Sequence, residues 1–244
     1  MTRTLKTPAL WVGLLFAFLL LDMPALRPLF AVSFPAVTPE IFDRAGFGEL
    51  FLSHLGLVAA SSVAATFVGM ALAIFVTRPA GRDFRTTANM LAIIDQVFPP
   101  AAVLALAVPA LGFGPKPTIV ALFLYGLLPI LENAIAGIEN VPTALREAGR
   151  GMGLSPYQLL RDVELPLAAP VILAGVRVSV TIGIGTATIG STVGALTFGT
   201  PIFDGLAGNK LPYVLQGAVL VALFAIVTDL LFGLLARRLR PPGS

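Results

Sequence analysis

Apolar runs of about twenty residues recur along this 244-residue chain, and no other feature narrows its fold as far. A helix rises about 1.5 Å per residue, so about 20 mostly apolar residues cross a hydrocarbon core of about 30 Å. Six segments fit: about Pro8 to Leu21, Leu50 to Thr77, Ala88 to Leu111, Thr118 to Ile138, Ala168 to Leu196 and Tyr213 to Ala236, the third interrupted by Pro99-Pro100. The chain is 57% hydrophobic and 12% charged, about half the charged share of a soluble domain. Lipid must therefore cover much of its surface. The expected fold is all-α and integral to a membrane, with about six transmembrane helices. Residues 1–48 read as an N-terminal anchor followed by an irregular outer loop with Pro24, Pro28, Pro35 and Pro39, and residues 49–240 as one transmembrane domain. The first segment is short enough to be a signal-peptide core, with Ala31-Val32-Ser33 as a cleavage site; it reads as a retained anchor.

Charge sets the orientation. With the N-terminus in the cytoplasm, eleven Lys and Arg residues fall inside and four (Arg27, Arg44, Lys116, Lys210) outside, with Arg177 within a span. Basic residues gather in cytoplasmic loops, so both termini and the 139–166 loop are expected inside. The net charge of +3 sits in short loops between apolar runs, which argues against a nucleic-acid partner and leaves membrane lipid as the surrounding phase.

The 139–166 loop carries its own structural signals. Pro142 to Ala148 reads as a short helix with Pro near its first position, where a missing N–H costs nothing. Gly151 and Gly153 supply a stop. Ser155-Pro156-Tyr157-Gln158 opens a second helix with the makings of a capping box, expected to end before Pro166. Two short amphipathic helices without a core of their own need a partner surface.

Other signals point away from chemistry. The chain has no Cys and His54 is its one His, so no metal site and no catalytic residue is expected. No GxxxxGK[ST] motif occurs, and Gly112-x-Gly114-Pro115-Lys116 is only superficially similar. Gly183, Gly185, Gly190 and Gly194 read as helix close-packing positions. Four charged residues fall inside spans: Asp95, Glu132, Arg177 and Asp229. Such charges pair with one another or face a water path. The favoured reading is a paired network, with Arg177 bound to at least one of the three carboxylates. Phe98, Pro99 and Tyr125 are candidate pore residues, with core or lipid packing as the other role.

Glu147-Ala148-Gly149, three residues, Gly153, nine residues, then Val163-Glu164-Leu165-Pro166 resembles the loop signature of binding-protein-dependent ABC importer permeases: Glu-Ala-Ala, three residues, Gly, nine residues, Ile-x-Leu-Pro. Gly149 and Val163 depart from it and the spacing is kept. Residues 112–130 and 164–177 are similar to the osmoprotectant branch, whose cargoes are glycine betaine, carnitine, choline or proline betaine. Residues 95–100 and 194–199 depart from that branch. The resemblance implies a type I importer permease with a coupling hairpin formed by Glu147, Ala148, Gly149, Gly153, Val163, Leu165 and Pro166. It implies as partners two ABC ATPase subunits, a second permease copy or paralogue, and an extracytoplasmic solute-binding protein. It implies no cofactor, ATP hydrolysis on another chain, and a multi-pass place in a bacterial or archaeal plasma membrane. A quaternary ammonium cargo favours aromatic faces, which adds interest to Phe98 and Tyr125. Two alternatives stay open: a permease for another small solute such as an amino acid, and a stand-alone secondary carrier that uses the intramembrane charges as a proton relay.

Reporter fusions test the orientation. Fusions after Thr38, Lys116 and Lys210 are expected to read as external, and fusions after Arg82 and Gly151 as cytoplasmic. A swapped signal at Gly151 would put the hairpin on the wrong side for an ATPase.

Overall fold

The computed structural model describes residues 6–87, 90 and 98–239, and all regular structure among them is helical. In chain order these are α1 (Lys6–Asp22), a 3₁₀ turn (Met23–Leu26), α2 (Arg27–Ser33), α3 (Phe47–Val76), a 3₁₀ turn (Arg82–Phe84), α4 (Pro100–Leu111), α5 (Pro115–Glu139), α6 (Thr143–Gly151), α7 (Pro156–Gln158), a π-helical stretch (Leu159–Glu164), α8 (Leu165–Ala187), a 3₁₀ stretch (Thr188–Val193), α9 (Gly199–Ala207) and α10 (Leu211–Leu239). Five helices among the described residues are long and apolar enough to cross a membrane: Ala9–Ser33, Phe47–Val76, Pro115–Glu139, Pro156–Val193 and Leu211–Arg238. The shorter α4 is a sixth apolar helix. It begins at Pro100, behind an extended Pro99, because proline has no N–H to give and the first turn asks for none. Most of the apolar stretch before it, Asp95 included, lies outside the described residues.

Two expectations are corrected. The first span does not stop near Leu21. Helical structure continues to Ser33, through two prolines expected to mark a loop. Pro24 and Pro28 each sit in the first turn of a new helical piece, where the missing donor is harmless. Nor does the second arm of the hairpin end before Pro166. A π-helical stretch, Leu159–Glu164, joins α7 to α8 in one continuous run. The Leu165 N–H bonds to the Leu160 carbonyl, five residues back. That wide turn directly precedes Pro166, which has no N–H to place and whose ring would crowd a tight α turn.

The chain divides into two compact units. One comprises Met1–Ser61, Pro99–Leu122 and Thr181–Leu231. Its core is aromatic: Phe16 stacks on Phe224, and Phe51 and Phe198 pack with them. Fully buried His54 stands against Phe198 and Phe224. His54 Nδ1 accepts from the Phe198 N–H at 3.3 Å, so the ring proton resides on Nε2, which donates to the Ile184 carbonyl at 3.0 Å. The ring thereby ties α3 to α8 and to the turn before α9. Gln216, also buried, accepts from the Phe42 N–H at 3.0 Å and donates to the Glu40 carbonyl at 2.7 Å. Arg44 adds an ion pair to Asp204 at 3.0 Å. Residues 38–44, expected to be irregular, are pinned by these contacts. Gly190 packs closely, as expected: a Cβ there would meet Thr118 at 2.5 Å. Gly194 has another role, a turn with φ +87°.

The other unit comprises Ser62–Phe98, Phe123–Val180 and Phe232–Ser244. Its centre is α5, whose apolar stretch has the largest buried share of the spans among the described residues. On one side Gly69 of α3 fits against Ile130, and on another Gly175 of α8 fits against the Pro129 carbonyl and Asn133. Ala73, Val76, Leu128, Leu131, Ala134 and Ile135 fill the space between α3 and α5. Lipid tails are as apolar as leucine, so helices in a membrane associate through close packing, which small residues permit. A methyl group at Gly175 would lie 2.6 Å from Asn133 Cβ.

Truncating the histidine checks the first of these cores. His54→Ala removes two hydrogen bonds and leaves a cavity, a loss of about 3 kcal/mol. The detergent-solubilised protein is expected to melt several degrees lower, while Arg44→Gln, at an exposed side chain, changes little. An unaltered melting temperature for His54→Ala would remove its bridging role.

Candidate functional site

The site is built on the hairpin between α5 and α8. α6 ends in a Schellman arrangement: the Gly153 N–H donates to the Arg150 carbonyl at 2.9 Å and the Leu154 N–H to the Gly149 carbonyl at 3.1 Å. Gly153 takes φ +81°, a conformation that a residue with a Cβ adopts only under strain. The expected capping box forms around Ser155 and Gln158, with bonds of 3.3 Å and 2.9 Å. Gly149 is buried, and a Cβ there would meet Leu159 at 2.7 Å. The departure from alanine at this position therefore has a local steric reason. Leu159, Leu154 and Val163 close around Gly149, so the hairpin has a small packed knot where none was expected. Outside the knot, Leu145, Met152 and Tyr157 are 45%, 74% and 68% exposed, and Glu147 and Ala148 are exposed with them. Val163 and Leu165 are half-buried and Pro166 is exposed.

Beneath the hairpin lies an ionic node that sequence reasoning missed. Glu164 is 3% exposed. One carboxylate oxygen accepts from Arg78, just beyond the end of α3, and the other lies 3.0 Å from Arg146 Nε on α6. Arg146 also donates to the Ile138 carbonyl in the last turn of α5. The chain end of one span, the hairpin's first arm and the root of α8 thus share one carboxylate. Nearby, Arg85 Nη1 donates to Glu139 at 2.5 Å. Arg78 and Arg146 read in the sequence only as orientation charges, and Glu164 as a variable position within the loop signature. The available signal was an acid directly before Leu165-Pro166, at the root of a span and in a loop that also carries Arg146, Arg150 and Arg161.

The candidate pore residues differ in their exposure. Tyr125 is buried and Phe98 is 48% exposed. Pro99 is the extended residue before α4, and Asp95 lies outside the described residues. Arg177 and Asp229 are half-buried, and each is engaged by another group. Glu132 differs from both. From Ala121 to Ile138 it is the one exposed position and the one charged residue, and among the described residues no ion pair involves it. It lies two turns from Tyr125, on the same face of α5, and about 10 Å along the helix from Glu139.

Residues 65–241 match the family of binding-protein-dependent transport system inner membrane components. The osmoprotectant import permease protein OsmY of Salmonella typhimurium is 43% identical over 77% of this chain and 80% of its own length. The choline transport system permease protein OpuBB of Bacillus subtilis is 40% identical, over 83% and 94%. The carnitine transport permease protein OpuCD of Listeria monocytogenes is 38% identical, over 79% and 86%. The chain also shares its fold with a chain of the inward-facing MetNI methionine ABC transporter, at a TM-score of 0.70 and 22% identity, over 78% of this chain and 94% of that one.

Removing the shared carboxylate is the test of the node. Glu164→Ala leaves Arg78 and Arg146 facing each other without a counter-charge, and breaking a buried pair costs about 3 kcal/mol or more. A clear drop in melting temperature is expected. Glu147→Ala, at an exposed position, is expected to stay within about 0.5 kcal/mol of the parent. Equal stability of the two variants would show that the node holds nothing.

Proposed function

The chain belongs to the family of binding-protein-dependent transport system inner membrane components, and from that premise we propose how it works as the permease of an ATP-driven importer for quaternary ammonium osmoprotectants. It is a multi-pass plasma membrane protein, and ATP hydrolysis belongs to a separate subunit. The observation that carries the cargo is the 38–43% identity, along most of the chain, to permeases named for osmoprotectant, choline and carnitine. A solute-binding protein hands cargo to the outer face. Two ATPases dock on the hairpins of two permeases, this chain and a second copy or paralogue, with both termini cytoplasmic and six spans in each.

The geometry supports a particular mode of coupling. Leu145, Met152 and Tyr157 give the hairpin an exposed apolar surface for an ATPase groove, and Glu147 sets a charge beside it. The hairpin's second arm continues into α8 without a break, so displacement of the hairpin is carried into the span instead of being absorbed at a joint. Glu164 ties the same movement to the end of α3 through Arg78. Within the membrane, Arg177 pairs with Asp95 or Asp229, since among the described residues no ion pair involves Glu132. An unpaired guanidinium at that depth would cost about 2.5 kcal/mol or more. Glu132, open on its face of α5, is the carboxylate placed to meet a passing cation, since a quaternary ammonium group cannot donate an N–H bond and is held by charge and aromatic faces.

The experiment is ATP-dependent uptake of choline or glycine betaine by the reconstituted permease, ATPase and cognate binding protein. Stimulation only by a sugar or a metal ion would overturn the cargo and leave the permease standing. Gly153→Asp is expected to insert normally yet abolish transport, because it strains the φ +81° turn by about 1 kcal/mol or more and obstructs docking. Glu147→Lys is expected to act in the same direction, less completely. Wild-type transport and ATPase co-purification in both variants would eliminate the hairpin as the coupling element.

A further inference from the structure

A cavity of about 350 Å³ lies beside the ionic node, wholly within the unit that contains the hairpin. Its floor is formed by the ends of two spans, Val76 of α3 and Ile138 of α5. Five arginines line it against two glutamates, an excess of three positive charges. The carboxylates are already committed: Glu164 to Arg78 and Arg146, Glu139 to Arg85. Arg82 and Arg150 have no ion-pair partner among the described residues, and the buried Nε of Arg78 has no acceptor there. The cavity therefore presents donors in excess of acceptors, at the ends of two helices long and apolar enough to span a membrane.

We propose that this cavity binds a phosphate-bearing anion, with Arg82 and Arg150 as its principal ligands. A phosphate group brings several acceptor oxygens and a full negative charge, matching planar guanidinium donors that are never deprotonated. Basic pockets between spanning helices at the cytoplasmic face take lipid headgroups. The position at the ends of α3 and α5 makes an anionic phospholipid the favoured source and free inorganic phosphate the other. The bound anion joins Arg150 on the hairpin to Arg82 beyond the end of α3. It reinforces the link that Glu164 makes between the same two elements. Hairpin and span then move together more tightly in a membrane rich in anionic lipid, and salt weakens the effect by screening.

Binding does not depend on the cargo or on the docking role of the hairpin, so it is read first and by itself. The assembled complex, purified in detergent, is titrated with phosphatidylglycerol and with phosphatidylcholine, and retained lipid is counted by native mass spectrometry. Phosphatidylglycerol is expected to be held about tenfold more tightly. Arg82→Gln/Arg150→Gln is expected to erase the preference, Arg82→Lys/Arg150→Lys to restore much of it, and Arg44→Gln, at an ion pair in the other unit, to leave it intact. Inorganic phosphate in place of lipid separates the sources: displacement of phosphatidylglycerol by millimolar phosphate assigns the site to the soluble anion. Equal retention of the two lipids, or an unchanged preference in the double glutamine variant, overturns the proposal. Loss of the preference only when the ATPase is bound would also overturn it, since an acidic segment of that subunit would then fill the cavity. ATP-driven uptake into vesicles with and without phosphatidylglycerol is the second readout. If wild-type vesicles transport neither choline nor glycine betaine, the cargo reading fails while the lipid count stands.

Discussion

In a hydrocarbon core no water satisfies a bare N–H or carbonyl, and the remaining features of this chain follow from that constraint. Every crossing segment must be helical, and polar side chains inside must find partners along or between helices. Ser61, Thr66 and Thr77 donate their hydroxyl protons to carbonyls three or four residues back, and Asn133 donates to the Pro129 carbonyl in the same manner. Helices that carry their own hydrogen bonds gain little from apolar contact alone, since lipid offers the same contact. Shape decides association instead, and glycine opposite a bulky neighbour lets α3, α5 and α8 approach closely enough to pack.

At the end of the spans the constraint relaxes, and charge takes over the structural work. Glu164 is buried and doubly bound, yet it sits where the hairpin becomes a span. A carboxylate shared by two arginines holds their side chains in fixed directions, so three chain segments take one relative geometry. The π-helical stretch beside it serves the same end. It carries the backbone through Pro166 without a break, so the hairpin's second arm and α8 form one continuous helical run. A tight helical end before the proline, which local rules favour, would have put a hinge there.

Much of this was legible in the residues. The spans announce themselves by length and apolarity, because lipid imposes both. The hairpin is legible because turns and caps are local: Gly153 at φ +81° and the reciprocal bonds of Ser155 and Gln158 depend on neighbours a few positions away. Where two local rules competed, the reading failed. Prolines at 24, 28 and 166 suggested breaks, but each sits where its missing N–H is tolerated. The knot around Gly149 was not legible, because it depends on Leu159 returning across the turn.

What the sequence by itself determined is the class of the molecule: helical, membrane-embedded, with a capped and glycine-turned hairpin in one polar loop. Those properties come from composition and from interactions between near neighbours. Only the tertiary structure decided which charges matter. Arg78 and Glu164 lie 86 positions apart, and His54 and Ile184 lie 130 apart. Partners at such separations are chosen by how the helices pack, and no local pattern records that choice. The same packing leaves Glu132 as the one open position between Ala121 and Ile138, a property of the helix's neighbours and not of the helix.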